Sequence, residues 1–267
     1  MTSDPDVCQP TAPAIHQPTN SVFTRFSDQD AARSLAQGLR FHPNAPIHPL
    51  CIAAAEELQR HLTRQNEWEH NFGLGNGGNG SVIGKMFGVL AVRAHNGTLG
   101  YLAAFSGKLA NGNHHSGFVE PVFDALTAGS FLNTGMARLS KFNAEIAVLE
   151  AAGDLAAIHK LKETRKSHSI ALQRKLHEHY NFRNKAGRTK NLVDIFEAHG
   201  YKQPPAGAGE CAGPKLLQYA FRHHMEPLAL AEFWWGLSPK SATWKHGEFY
   251  QPCKEKCAPI LDFMLGE

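Results

Sequence analysis

The chain has no apolar run approaching the roughly 18 residues of a membrane-spanning helix. Its opening stretch, Met1 to Asn20, is rich in Pro, Thr, Gln and Asp and lacks the apolar core of a secretion signal. These absences predict a cytoplasmic protein with a disordered tail and no membrane partner. Cysteine is scarce, five in 267 residues, and the odd count argues against a disulfide framework. Strong charge of one sign is also missing: the net charge is only +3, so the overall balance does not announce nucleic acid. A hydrophobic content of 42% against 19% charged residues does predict a real core, in one large or two small domains.

The apolar periodicity divides the chain. Pro49 to Leu62 carries Leu50, Ile52, Ala53, Ala54, Leu58 and Leu62 as an apolar face at helical spacing. Met86 to Val92 and Leu99 to Phe105 read as strands, and Asn96-Gly97 between them is a hairpin signal because both residues tolerate positive φ. From Met136 to about Phe182 the pattern is helical, broken at Ala151-Ala152-Gly153-Asp154, which predicts two antiparallel helices forming a protruding hairpin. A short helix over Asn191 to His199, a linker at Pro204-Pro205-Ala206-Gly207, a helix over Cys211 to His223, a strand over Leu228 to Trp235 and a helix over Ala258 to Leu265 complete the list. The expected organisation is a tail and lead-in (1–40), an α/β core in two parts (41–135 and 191–267), and a basic helical hairpin inserted between them (136–190).

Three cysteines stand out. Cys211 lies in Gly209-Glu210-Cys211-Ala212-Gly213, and Cys253 and Cys257 lie in Pro252-Cys253-Lys254-Glu255-Lys256-Cys257. The last two have three residues between them, within the spacing of about two to four found in zinc pairs. Thiolates at two helix starts could hold a structural zinc, with water or His246 as fourth ligand. The competing reading is one buried and two surface thiols.

The second arm of the hairpin carries Lys160, Lys162, Arg165, Lys166, Arg174, Lys175, Arg183, Lys185, Arg188 and Lys190. Only Glu163 and Glu178 oppose them, a local charge of +8. This fits a surface for phosphate backbones, although a solvated helix face would look similar. Trp234, Trp235, Tyr250, Lys240, Lys245 and His246 add aromatic and basic groups near the cysteines. Gly75 to Gly80 formally satisfies GxGxxG but follows a helix and precedes a strand, the wrong context for a nucleotide loop. Asn96-Gly97-Thr98 is a hairpin turn rather than a glycosylation acceptor.

The cysteine layout and the order helix, strand, strand, helix, strand, helix resemble the cytidine-deaminase-like fold. There an antiparallel hairpin is followed by a crossover helix and a third strand, and zinc ligands open two helices. This chain departs from that pattern in the three-residue gap between Cys253 and Cys257, where deaminases have two. It also ends at Glu267, before the usual later strands. The resemblance implies a general acid–base Glu two residues after the first ligand; here that position is Gly213. Glu210 and Glu232 are near in sequence but outside the slot. Such a group is worth roughly 10²–10⁴-fold in rate, so the expectation is no deamination.

A second resemblance covers about Phe41 to Gly266. His48-Pro49-Leu50-Cys51-Ile52-Ala53-Ala54-Ala55-Glu56-Glu57, Gly100-Tyr101-Leu102-Ala103-Ala104-Phe105-Ser106-Gly107 and Ala231-Glu232-Phe233-Trp234-Trp235-Gly236 are similar to the N-terminal extension of a bacterial subgroup of RluA-type pseudouridine synthases. That implies structured ribosomal or transfer RNA as partner, and a separate synthase catalytic domain. The family's Arg-Leu-Asp motif is not met: Arg138-Leu139 is followed by Ser140. The leading expectation is therefore an RNA-associated accessory module, not catalytic alone. The alternatives are a zinc-dependent deaminase-like hydrolase using Glu210 or Glu232, and a protein-interaction module.

Overall fold

A computed structural model describes residues 22–75, 80–127, 129–239 and 244–266. The expected disordered tail at 1–20, the middle of the Gly75–Gly80 loop, and Lys240 lie outside the described residues. The first core helix, α2 (Pro49–Arg64), starts where the sequence offers a cap and a proline. His48 Nδ1 accepts from the Leu50 N–H at 3.3 Å, and Pro49 opens the first turn. It buries Leu50, Ala54, Leu58 and Leu62, while Ile52 and Ala53 of the expected face are turned to solvent. Strands β2 (Lys85–Arg93) and β3 (Leu99–Phe105) form the expected hairpin, with Gly97 at φ +80° in the turn.

The chain returns to the sheet through helix α6 (Ala212–Arg222) and strand β6 (Glu226–Trp235), which pairs antiparallel with the other side of β2. Two short strands complete an antiparallel five-stranded sheet of order β1-β3-β2-β6-β7: β1 (Phe23–Arg25) on β3, and β7 (Phe249–Tyr250) on β6. The lead-in thus supplies elements that periodicity did not announce, β1 and helix α1 (Gln29–Ala36). Buried Gln29 pins them, donating to Phe26 O and Leu99 O and accepting from the Leu99 N–H at 2.9 Å.

The central strands are buried on both faces, so helices cover both. Phe87, Val89, Ala91, Ala103, Ala231 and Phe233 face α1 and α2. The alternate residues Leu90, Val92, Leu102, Ala104 and Leu230 face α5 (Leu192–Ala198), α6 and α7 (Ala258–Leu265). Gly88 sits where α6 crosses β2. A Cβ there would lie 2.9 Å from Ala212 Cβ, so only glycine lets the start of α6 approach this closely.

Between β3 and α6 stands the arm. Helices α3 (Phe131–Ala152) and α4 (Leu155–Glu178) are joined by Gly153 at φ +75° and capped by Asp154. They run antiparallel, with Lys162 Nζ 2.9 Å from Glu150 Oε1 and Arg165 Nε 2.6 Å from Asn143 Oδ1. Leu139, Ile146, Ile158 and Leu172 form the buried seam, and most other positions of the two helices are open to solvent. At the root, the rings of Phe123, Phe131 and His179 stack on one another.

The expected limits of this arm need correction. It begins at Phe131, five residues before Met136, and ends at Glu178. The chain then forms a separate two-stranded ribbon, β4 (Asn181–Arg183) and β5 (Thr189–Asn191), which Gln218 ties to α6 through Arg183 N–H and Asn181 O. α4 closes at His179, whose N–H bonds back to Leu176 O, and the turn Asn184-Lys185-Ala186-Gly187, with Gly187 at φ +83°, joins the two strands of the ribbon.

Candidate metal centre and its cavity

Cys211 is the residue immediately before α6, with extended backbone and no side-chain cap bond of its own; the Ala212 and Gly213 N–H groups of the first turn go instead to Ser106 Oγ and Glu232 Oε1. A turn through Gly209 delivers it. Gly209 has φ +89°, and a Cβ there would sit 2.8 Å from the Tyr180 ring. Glu210 fixes that turn: one carboxylate oxygen accepts from the Tyr180 hydroxyl and the other lies 3.2 Å from Lys215 Nζ. Lys215, almost fully buried, also donates to Phe105 O and Gly107 O. Glu210 is therefore fully engaged in holding the loop.

Cys253 and Cys257 come from the turn that leads into α7. Cys257 N–H donates to Cys253 O at 3.1 Å, so the three intervening residues make one helical turn that stacks the two sulfurs. Their Sγ atoms are 3.3 Å apart, and all three sulfurs of Cys211, Cys253 and Cys257 lie within 4.8 Å of one another. Two sulfurs on one tetrahedral zinc are about 3.8 Å apart, given Zn–S bonds of about 2.3 Å. The donor set, three soft thiols without a hard oxygen among them, fits zinc. Hydrogen bonds first from Cys211 and then from Cys257 hold the Cys253 thiol far below its ordinary range. The same bond to Cys253 pushes Cys211 up. Cys51 is apart from this group; burial in α2 pushes its thiol up to about 12.

His246 does not join the sulfurs. Its Nδ1 accepts from the Gly236 N–H at 3.1 Å, and its ring packs on Trp235. Strand alternation gives the reason: Glu232 and Trp234 point to the cysteine side of β6, while Phe233 and Trp235 point to the α2 side. Lys245 has its N–H on the Tyr250 hydroxyl at 2.7 Å.

Glu232 is the anomaly of the strand. It is 4% exposed, in the middle of an apolar run, and its Oε1 accepts from the Gly213 N–H at 2.8 Å. A Cβ on Gly213 would sit 3.5 Å from that oxygen. The carboxyl thus fills the space beside the position where the deaminase pattern calls for its Glu. Burial pushes the Glu232 carboxyl up to about 7; the Gly213 bond opposes this and the Cys253 thiolate adds to it. A cavity of about 690 Å³ opens above Glu232 and the three cysteines, walled by Trp234, Trp244 and Tyr250. The Trp234 and Trp244 rings are 4.5 Å apart at 48°.

The raised carboxyl has a consequence for metal-free protein. The stability from a protonated, buried Glu232 is fully present below its ordinary value of 4.5 and is lost as pH rises through about 7. The unfolding free energy of the stripped protein, followed through its denaturation midpoints, is expected to fall across that window by on the order of 3 kcal/mol. Glu232→Gln should flatten the profile between the two pH values. An unchanged profile in that variant would show that the carboxyl is not what titrates.

The ten basic residues are not gathered together. Lys160, Lys162, Arg165, Lys166, Arg174 and Lys175 lie on α4, where 3.6 residues per turn spreads them around the circumference. Arg183 is on β4, Lys185 and Arg188 are in the ribbon's turn, and Lys190 is on β5. Lys162 pairs with Glu150, Arg174 with Glu178, and Lys175 lies over the Phe131 ring. Sequence reading missed Trp244 and the position of Glu232. A glutamate amid apolar strand residues was the available signal. Compared with known proteins, the chain matches no family model, no curated protein and no solved structure.

Proposed function

We propose that the chain is a zinc-dependent hydrolase of the deaminase type, acting on an amino-bearing nucleobase. The observation that carries this reading is the buried Glu232 carboxyl on the Gly213 N–H, beside three converging sulfurs at the floor of an open cavity. Cys211, Cys253 and Cys257 would hold the zinc, which supplies Lewis acidity for hydrolysis. Glu232 would take a proton from the attacking water and deliver it to the departing amine. The Gly213 N–H holds one of its oxygens and leaves the other to do this. Trp234, Trp244 and Tyr250 offer ring faces to a planar base. The β2–β3 hairpin, the crossover through α6 to β6, and helix starts at Cys211 and Cys257 support reading the core as deaminase-like. The test is ammonia release by zinc-loaded protein from cytidine, adenosine and their nucleotides, free and in RNA. Release abolished by Cys211→Ser supports the reading; zinc-loaded protein that releases none overturns it.

A second reading keeps the metal structural and makes the chain an RNA-associated accessory module for a separate pseudouridine synthase domain. It is favoured by the exposed arm, where Lys160 and Lys166 have no ion-pair partner among the described residues. Binding to ribosomal RNA fragments that weakens with salt, and weakens further in arm variants, would support it in the absence of turnover.

A further inference from the structure

Resting on the hydrolase reading, we infer that the ligand of the cavity carries a phosphate: it is a nucleotide, free or within a strand, rather than a neutral base or nucleoside. The rim supplies three ammonium groups, Lys85, Lys254 and Lys256. Among the described residues, none of the three has a carboxylate within ion-pair distance. Lys85 is half-buried, and its ammonium is held below the usual range first by burial and then by Lys215. A cation kept there without a counter-charge is costly, and an anion in the cavity offsets that cost. Lys256 stands over the turn at Gly207, its Nζ 3.7 Å from where a Cβ on that glycine would be.

The acids of the same cavity do not cancel this charge. Glu210 is engaged by Tyr180 and Lys215, and Glu232 sits at the floor on the Gly213 N–H. Among the described residues, Glu255 is the one carboxylate left on the rim, against three cations. Ring faces on one wall and unpaired cations on the rim together recognise a base joined to a phosphate. The cations also have a continuation. Arg174, which also pairs with Glu178, and Lys202 line a groove with Glu197 and Pro204, and Gly207 lines the cavity. Three peptide units separate those two residues, at most about 11 Å. A strand would pass from one to the other; a free nucleotide would not reach the groove.

Trp234 and Trp244 line the cavity, so tryptophan fluorescence of the zinc-loaded protein reports its occupation. The probes are cytidine, adenosine, their 5′-monophosphates and a short single-stranded RNA of mixed sequence. Either the monophosphates or the RNA should bind at least about tenfold tighter than the nucleosides, which corresponds to about 1.4 kcal/mol. A double variant, Lys254→Gln with Lys256→Gln, should remove that preference at unchanged zinc content. If it loses zinc, Lys85→Gln, distant in sequence from the sulfurs, takes its place. Arg174→Gln with Lys202→Gln should weaken RNA alone if the source is a strand, and neither probe if it is a free nucleotide. Equal binding of nucleosides and phosphorylated probes overturns the inference, as does a preference that survives the lysine variants or the absence of binding by any probe. A phosphate preference without ammonia release would sink the hydrolase reading and leave this one standing.

Discussion

Glu232→Gln is expected to lower ammonia release by roughly 10²–10⁴-fold, the worth of a positioned general acid–base group. Metal content and folding should remain. Gln keeps the shape, and its amide oxygen can still accept from the Gly213 N–H that now holds Oε1 at 2.8 Å. What it loses is the capacity to carry a proton. Glu210 makes the informative control. Its carboxylate is also at the cavity, yet it is bound to Tyr180 and Lys215, so Glu210→Gln should act by loosening the loop before Cys211. Its effect should appear in metal retention and thermal stability, not in turnover of the metal-loaded fraction. If Glu232→Gln turns over at the wild-type rate, the carboxyl is a structural cap on α6 and has no catalytic role.

Cys253→Ser is expected to abolish near-stoichiometric zinc, weakening affinity by more than the ten- to about hundredfold typical of outer-shell changes. The exposed Cys253 sulfur is hydrogen-bonded to both of the other two. Removing it leaves Cys211 and Cys257 without the shared partner. Zinc at 1,000-fold its dissociation constant should stabilise the wild type by about 4 kcal/mol and the variant by far less. Zinc content after purification, and denaturation midpoints with and without added zinc, read both effects. Wild-type protein that purifies without metal and shows no zinc-dependent shift would remove the centre altogether.

Much of the core was legible because its signals are local. Leu99–Phe105 and Ala258–Leu265 fall on their expected limits, since an Asn-Gly turn bounds the first and a Pro at the helix start bounds the second. Elements fixed by distant partners were not legible. β1 and β7 have three and two residues, too few for any period, and exist because β3 and β6 have open edges to pair. The three sulfurs were nameable from spacing, but Glu232 was not assignable to the Gly213 slot. That placement depends on β6 lying opposite Gly88, whose missing side chain lets α6 settle over the strand. The run of basic residues was legible as composition; its six members on α4 spread around the helix at 3.6 residues per turn, so the run defines no single face of α4.

The meeting of Phe131 and His179 at the root of the arm bears on how the chain finds its fold. The central pairing of β2 with β6 runs from Lys85 with Trp235 to Arg93 with Glu226, and even that nearest pair is 133 positions apart. Closing so long a loop in one step is slow, because its entropy must be surrendered before any contact rewards it. Two helices that zip against each other through a single seam need no distant partner to form. Once they do, the whole segment between Phe131 and His179 counts as one short link, and the loop left to close contracts accordingly. Formed locally and first, the arm would act during folding as a tether that shortens the search of β6 for β2.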